Sequence, residues 1–168
     1  VMEKSAKIMG TIIGDTIGST YEFNPTKDYN FSLYNDEMDY TDDSIMTIAV
    51  ADWILNDSYL SPENLAQTMR RYGNQYFHPK GGYGHLFSEW LTRSDMKAYN
   101  SWGNGAAMRV SAIGFAFSTL EETLKVAEIS SAVTHNHPEG IKGAQAAAAA
   151  IFLARNGEKK EVIRKFIT

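Results

Sequence analysis

Cysteine is absent from this chain of 168 residues, which excludes disulfide frameworks, thiolate nucleophiles and zinc–thiolate centres. Basic charge is also scarce, and the net charge of −4 argues against an extended basic footprint for nucleic acid. Long apolar runs are missing as well. The most apolar stretch, residues 144–154, falls short of the roughly 20 residues of a membrane-spanning helix. We therefore expect no membrane segment and no nucleic-acid partner, and we predict a cytoplasmic location.

Strand-like alternation is not convincing anywhere, whereas helical signals recur along the chain. Ser61-Pro62 and the pair Thr119 and Glu122 have the residue types that begin helices, and Asn156-Gly157 has those that end one. We predict a single all-α domain over residues 1–168, with about six to eight helices joined by mostly short connections. The predicted helices cover residues 4–21, 44–56, 62–77, 86–92, 106–117, 120–133, 138–156 and 158–168.

A stripe of glycines marks the first predicted helix. Gly10, Gly14 and Gly18 recur at a spacing of four and therefore lie on one face. Each glycine costs about 1 kcal/mol relative to alanine inside a helix, so we expect another helix or backbone segment to approach this face closely. Glu22 continues the stripe, while Asp15 lies off it and points elsewhere.

The motif Thr41-Asp42-Asp43-Ser44 places a hydroxyl and two carboxylates directly before an apolar helix. As a local feature it is typical of a helix cap with acids that complement the helix dipole. Several oxygen donors so close together also suit a hard cation such as Mg²⁺. The polar and aromatic residues 23–39 form a predicted irregular loop, typical of a lid, that joins Glu22 to this motif. The helix-cap and the cation-binding interpretations of the motif are compatible.

Three further polar segments leave alternatives open. The glycines around Tyr83 indicate either a flexible connector or backbone exposed to a phosphate or sugar. Arg109 follows a small-residue turn and is either a solvated charge or a buried ion-pair partner. His135 and His137 lack a third histidine or cysteine nearby, so we expect no zinc site. A hydrogen bond to a ligand hydroxyl, or a capping role, is favoured for such loop histidines.

Taken together, the motifs of this chain resemble the ADP-ribosylglycohydrolase family, which includes the dinitrogen-reductase-activating glycohydrolases. The resemblance covers nearly the whole chain, and its motifs occur in the family's order. They are Gly10-x-x-x-Gly14-Asp15-x-x-Gly18-x-x-x-Glu22, Thr41-Asp42-Asp43-Ser44, Gly82-Tyr83-Gly84, Ser101-Trp102-Gly103-Asn104-Gly105-Ala106-Ala107-Met108-Arg109 and Thr134-His135-x-His137-Pro138.

The resemblance implies an orthogonally packed helical fold whose cleft holds two Mg²⁺ ions, or Mn²⁺ in some members. By analogy Thr41, Asp42 and Asp43 are metal ligands, and Glu22 contacts the water shell of the metal or the ribose. Either Glu22 or Asp43 is the catalytic base. The resemblance also implies a set of substrate-binding residues. These are Gly82, Tyr83 and Gly84 at the diphosphate, Ser101, Gly103 and Asn104 at the phosphate and distal ribose, Trp102 in place of a frequent aromatic residue, and His135 at the adenosine ribose.

The implied function is hydrolysis of the bond between ADP-ribose and an acceptor, with ADP-ribose or an ADP-ribosylated protein as the partner. The family's second metal motif, Gly-Asp-x-Asp-Thr, does not occur in these residues. We therefore expect either the N-terminal piece of a longer protein or a short form with little activity of its own. A module that binds ADP-ribose without cleaving it, and a structural protein, are the alternatives.

Overall fold

The structure, a computed structural model, describes residues 2–168, with side chains from residue 8 onward. This part of the chain is helical and contains no β-strand, which confirms the all-α prediction. Within it, no helix is both long enough and apolar enough to cross a membrane. The helices are α1 (Met2–Gly18), α2 (Asp42–Asn56), α3 (Pro62–Gln75), α4 (His85–Thr92), α5 (Ser111–Ala116), α6 (Leu120–Ala132), α7 (Pro138–Arg155) and α8 (Lys160–Ile167), with a 3₁₀ turn at Asn104–Ala106.

Helix α2 lies at the centre of the core and packs against α1, α3 and α5. Its side chains Met46, Val50 and Trp53 are almost completely buried. On the other side of the domain α6 and α7 form a close pair, for which alanines such as Ala144 and Ala148 supply a small, fully buried surface. Small side chains allow the helix axes to approach, and burial of the larger apolar side chains drives the packing.

The predicted helix boundaries marked by capping residues are confirmed. The Ser61 hydroxyl accepts a hydrogen bond from the Asn64 N–H at 3.3 Å, and the Thr119 hydroxyl accepts one from the Glu122 N–H at 3.2 Å. Glycine at position 157 has φ of 84°, the left-handed conformation that ends a helix without a Cβ penalty. Local side-chain chemistry was therefore sufficient to place these ends.

Two predicted helices have the wrong extent. The helix predicted over residues 106–117 is a 3₁₀ turn followed by the short helix α5, because the chain turns where the Arg109 side chain enters the core. The first helix ends at Gly18 instead of residue 21. There the Ser19 hydroxyl donates to the Thr16 carbonyl at 2.8 Å and accepts the Asp39 N–H at 3.2 Å, which ties the turn to the far end of the loop.

The close approach expected on the glycine stripe is wrong for the part of the chain that the structure describes. A Cβ atom added at Gly10, Gly14 or Gly18 would meet no atom within 4 Å. Helix α1 instead packs on α2 and α5 through another face, which includes Ile8. The stripe therefore borders open space beside the polar residues considered next.

Candidate active site

The carboxylate of Asp15 organises the first turn of α2. It accepts hydrogen bonds from the Thr41 N–H at 2.9 Å and the Thr41 hydroxyl at 2.6 Å. It also accepts the Ser44 N–H at 3.2 Å and the Ser44 hydroxyl at 2.6 Å. Thr41 and Ser44 are buried, so Asp15 satisfies polar groups that water does not reach. Sequence reasoning gave Asp15 no role, since no local signal linked it to a motif 26 residues away.

These contacts fix the orientation of the Thr41 hydroxyl. Its hydrogen is donated to Asp15, and its oxygen accepts the Asp43 N–H at 3.1 Å as the N-cap of α2. A hydroxyl oxygen has two lone pairs, so one lone pair remains for a further partner. The cap predicted from the sequence is confirmed, and it is compatible with a ligand role for the same oxygen.

Asp42 and Asp43 are half-buried acids at the start of α2. Burial, together with the negative charges of Asp43, Glu22 and Asp15, raises the pKa of Asp42 to about 7. Burial also raises the pKa of Asp43 to about 6, with added repulsion from Asp15 and Glu22. Protonation of these crowded acids, or binding of a cation to them, removes the unfavourable buried negative charge.

Two adjoining cavities open on either side of these acids and share Asn104 in their walls. The first, the Asp42 cavity, has a volume of about 330 Å³. Its wall includes these predicted site residues: Asp42, Gly84, Ser101, Gly103, Asn104 and His135. The second, the Asp43 cavity, has a volume of about 440 Å³. Its wall includes Glu22, Thr41, Asp43 and Asn104, together with Asp15 and the glycine stripe.

The glycine-rich loop before α4 lies against the carboxylate of Glu22. Gly81 and Gly82 have φ of 78° and 74°, which favour glycine. A Cβ on Gly81 would stand 3.0 Å from Oε2 of Glu22, so a larger residue would displace that carboxylate. The same loop reaches the far end of the predicted lid, where the Lys80 N–H donates to the Tyr40 carbonyl at 3.3 Å. The two ends of the lid segment therefore meet in space, as expected.

His135 enters the Asp42 cavity from the turn between α6 and α7, and only 5% of its surface is exposed. The absence of a side chain at Gly105 makes room for its ring, because a Cβ there would be 3.0 Å from both Cε1 and Nε2. Burial and the nearby positive charge of Arg109 lower the pKa of His135 to about 4. The ring is therefore neutral at physiological pH. His137 has the capping role instead, since its Nδ1 accepts the Glu139 N–H at 3.1 Å.

Arg109, left open by the sequence, is buried with 1% of its surface exposed. Its guanidinium donates to the Ser130 carbonyl at 2.5 Å and to the Thr134 hydroxyl at 3.0 Å. Among the residues described, no carboxylate forms an ion pair with it. Burial lowers the pKa of Arg109 to about 10, which leaves it charged at neutral pH. It is a buried cation beside the cavity, held by neutral oxygens.

Three predicted site residues do not line either cavity. Gly82 has open space at its Cβ position, and Tyr83 donates its hydroxyl to the Tyr76 carbonyl at 2.9 Å. Burial raises the pKa of Tyr83, and the Asp42 charge raises it further, so this ring lies near the acids without facing the cavity. Trp102 is 74% exposed, and its ring lies 6.0 Å from that of His137 at the surface.

The donors at this site have the chemistry that Mg²⁺ prefers, although they form only part of a coordination shell. In the part of the chain with described side chains, no group of three or more His, Cys, Asp or Glu residues could hold a metal ion by itself. Thr41, Asp42 and Asp43 nevertheless offer a hydroxyl and two carboxylates at one helix start. Burial and mutual repulsion raise the pKa values of these acids; a cation here would neutralise their charge and would keep several of its waters.

The structure described above is a helical domain with two adjoining polar cavities at the start of its central helix. The sequence model of the ADP-ribosylglycohydrolase family matches residues 6–168, and the chain belongs to this family. The family resemblance drawn from the motifs is thereby confirmed, and so is the all-α fold expected from it.

The relatives of the chain include ADP-ribosylhydrolases. It is 31% identical over 176 residues to ADP-ribosylhydrolase ARH3 of Xenopus tropicalis, a match that covers 90% of this chain and 50% of that protein. ARH3 of Homo sapiens is 29% identical over 182 residues, covering 90% of this chain and 49% of the relative. An uncharacterized protein of Archaeoglobus fulgidus is 29% identical over 171 residues, a match that covers 86% of this chain and 53% of that protein. The chain spans about half the length of the curated relatives it matches.

Proposed function

We propose that this protein hydrolyses the glycosidic bond between ADP-ribose and an acceptor, assisted by Mg²⁺. The observation that carries the proposal is the placement of two neighbouring acids, Asp42 and Asp43, in the walls of two adjoining cavities. Two carboxylates beside room for a sugar are the basic equipment of glycoside hydrolysis. Family membership and the names of the ARH3 relatives support ADP-ribose as the sugar donor.

In this proposal the Asp42 cavity receives the nucleotide part of ADP-ribose. The turn at Ser101, Gly103 and Asn104 supplies small residues and an amide that let phosphate or ribose oxygens approach. His135 provides a ring nitrogen for a ribose hydroxyl. Asn104, which belongs to both cavities, marks where the distal ribose passes towards Asp43.

The chemical step would break the bond at the anomeric carbon through a transition state resembling an oxocarbenium ion. A carboxylate must then accept a proton from the attacking water. Asp43 suits this task because its pKa is raised to about 6, close to the working range of a general base. Glu22 is the second candidate, since it lines the same cavity and lies at the start of the lid segment.

Thr41, Asp42 and Asp43 would hold the Mg²⁺ ion, with Mn²⁺ as a substitute. Such an ion orients ribose hydroxyls and increases the acidity of a bound water. The protein's own contribution is the rigid first turn of α2, because Asp15 fixes Thr41 and Ser44 before any ligand arrives.

The decisive experiment measures release of ADP-ribose from an ADP-ribosylated arginine peptide with saturating Mg²⁺, using the full coding sequence. Loss of turnover in Asp43→Asn with retained binding of both ADP-ribose and Mg²⁺ supports Asp43 as the base. Glu22→Gln tests the second candidate under the same conditions. Asp36→Asn, an exposed loop acid, is the matched control for the loss of one negative charge. Normal turnover in Asp43→Asn would falsify the assignment of Asp43.

A module that binds ADP-ribose without cleaving it is the second candidate, because the family's second metal motif, Gly-Asp-x-Asp-Thr, does not occur in these residues. Calorimetry with ADP-ribose and Mg²⁺, run beside the release assay, separates the two candidates. Binding without release favours the module, and release favours the hydrolase. The absence of both binding and release favours a structural role. Peptides ADP-ribosylated on arginine or on serine would identify the acceptor. A cytoplasmic location is part of this proposal.

A further inference from the structure

We infer that Thr134, held in place by the buried Arg109, is a positioning residue that fixes His135 as a neutral imidazole with its proton on Nε2. The inference starts from one contact. Oγ1 of Thr134 lies 2.8 Å from Nδ1 of His135, and the direction of this hydrogen bond depends on which ring nitrogen carries the proton. The surroundings of Thr134 decide that direction.

Arg109 restricts the hydroxyl of Thr134 from the other side. The guanidinium can only donate hydrogen bonds, and it donates to Oγ1 at 3.0 Å. One lone pair of Oγ1 is thereby used, and the hydroxyl hydrogen still needs an acceptor. Thr134 is completely buried, so water does not provide one. Two groups face this hydroxyl: Nδ1 of His135 at 2.8 Å and the hydroxyl of Tyr99. We assign Nδ1 as the acceptor, and this assignment requires that Nδ1 carries no proton.

The remaining neighbours are consistent with this assignment. Tyr99 places its ring 5.6 Å from that of His135, and its hydroxyl also interacts with Thr134, so it is the competing partner to be tested. The other titratable groups that share the cavity wall are Asp42 and His85. The positive charge of Arg109 and burial both oppose a second proton on the ring. The imidazole is therefore neutral, and its single proton belongs on Nε2.

The consequence is a defined hydrogen-bond donor inside the Asp42 cavity. Nε2 lies against Gly105, and no described residue accepts a hydrogen bond from it. A donor of this kind suits an oxygen acceptor such as a ribose hydroxyl or a phosphate oxygen. This use of the donor rests on the proposed function, whereas the protonation state of the ring does not.

Nitrogen-15 NMR of the labelled chain tests the inference directly. Long-range correlations from the ring protons distinguish protonated from unprotonated ring nitrogens, and His135→Gln assigns the signals. We expect a protonated Nε2 and an unprotonated, hydrogen-bonded Nδ1 in the unmodified protein at neutral pH, with no second protonation down to about pH 5. A protonated Nδ1, or a doubly protonated ring at neutral pH, overturns the inference without any variant.

Matched variants then test the two supporting residues. Thr134→Val keeps the shape but removes the hydroxyl, so the Nδ1 signal should move to that of a nitrogen without a hydrogen bond, whereas Thr134→Ser and Tyr99→Phe should keep the original signal. An unchanged Nδ1 signal in Thr134→Val contradicts the role of Thr134. In Arg109→Gln we expect the pKa of His135 to rise, and an unchanged pKa contradicts the role of Arg109. If Arg109→Gln does not fold, the Thr134 variants still test the inference, because they leave Arg109 in place.

Binding of ADP-ribose separates this inference from the proposed function. Thr134→Val should weaken binding about five- to tenfold, the effect of one hydrogen bond, and Thr134→Ser should restore it. The expected ring signals without any ADP-ribose binding leave the inference standing and contradict the proposed function. Normal ADP-ribose binding with the proton on Nδ1 contradicts the inference and leaves the proposed function standing.

Discussion

Asp15 and Thr41 are joined by a double hydrogen bond, in which one carboxylate accepts both the main-chain N–H and the hydroxyl of the threonine. The contact connects the last turn of α1 to the N-cap of α2 across the whole lid segment. The conformation of the acidic motif therefore depends on a residue outside the motif.

Removal of this carboxylate should destabilise the protein clearly. Asp15→Ala leaves the donors of Thr41 and Ser44 without their acceptor in a buried place, and we expect a loss of about 2–4 kcal/mol in the free energy of unfolding. Asp15→Asn keeps one oxygen acceptor and should lose less. Urea denaturation followed by circular dichroism measures both variants. Asp36→Ala removes an exposed loop carboxylate and should stay within about 0.5 kcal/mol of the unmodified protein. A loss no larger for Asp15→Ala than for this control contradicts the positioning role of Asp15.

Alanine on the glycine stripe should stabilise the chain as the structure describes it. The Cβ position at Gly10 is open, and glycine inside a helix costs about 1 kcal/mol relative to alanine. We therefore expect Gly10→Ala to raise the free energy of unfolding by about 0.5–1 kcal/mol. Thermal or urea unfolding of this chain measures the change. A decrease would instead support the close approach that the sequence pattern indicated.

The parts of the fold that the sequence predicted are those governed by local chemistry. Ser61 and Thr119 cap helices with hydrogen bonds to residues three positions away, and Gly157 ends one through its own backbone conformation. The failed prediction over residues 106–117 depends on tertiary structure. That segment leaves helical geometry where a buried arginine is accommodated, and helical propensity does not register this.

The candidate site shows the same division. The oxygen donors of Thr41, Asp42 and Asp43 are visible as three consecutive residues in the sequence, and so is their position at a helix start. The supports of the site were missed because they act over long separations. Asp15 reaches Thr41 across 26 residues, and Arg109 reaches Thr134 across 25. One sequence carries no signal for such pairs, since either residue alone is compatible with a surface position.

The raised pKa of Asp42 predicts a distinctive pH dependence of stability. Its pKa is about 7 in the folded protein and 3.8 as an ordinary aspartate, so the folded state binds the proton more tightly. Stability from this group is fully present below pH 4 and is lost as pH rises through 7. Asp42→Asn abolishes this loss, so the variant should become more stable than the unmodified protein between pH 4 and 8. Urea unfolding in EDTA across this range measures the difference.

Magnesium should reduce the difference in stability between Asp42→Asn and the unmodified protein. A cation bound by the ionised acid stabilises the folded state more at pH 8 than at pH 5, because protons compete for the ligand. Added Mg²⁺ should therefore narrow the gap between Asp42→Asn and the unmodified protein at pH 8. Asp36→Asn controls for net charge. If the stability difference between Asp42→Asn and the unmodified protein does not change with pH, the raised pKa of Asp42 is wrong. If the difference changes with pH but not on addition of Mg²⁺, only the metal-binding role of Asp42 is contradicted.

The contact between α5 and α7 should tolerate no side chain at Gly114. A Cβ there would stand 2.6 Å from Cγ2 of Ile151 and 2.9 Å from the Ala148 carbonyl oxygen, so the helices would have to separate. Overpacking of this kind costs about 1–3 kcal/mol, which outweighs the helical preference of alanine. Gly114→Ala should therefore lower the midpoint of urea unfolding. Gly143→Ala is the matched control on α7, where the Cβ position is open, and it should raise the midpoint instead. If both substitutions raise it, the close packing of α5 on α7 is wrong at this point.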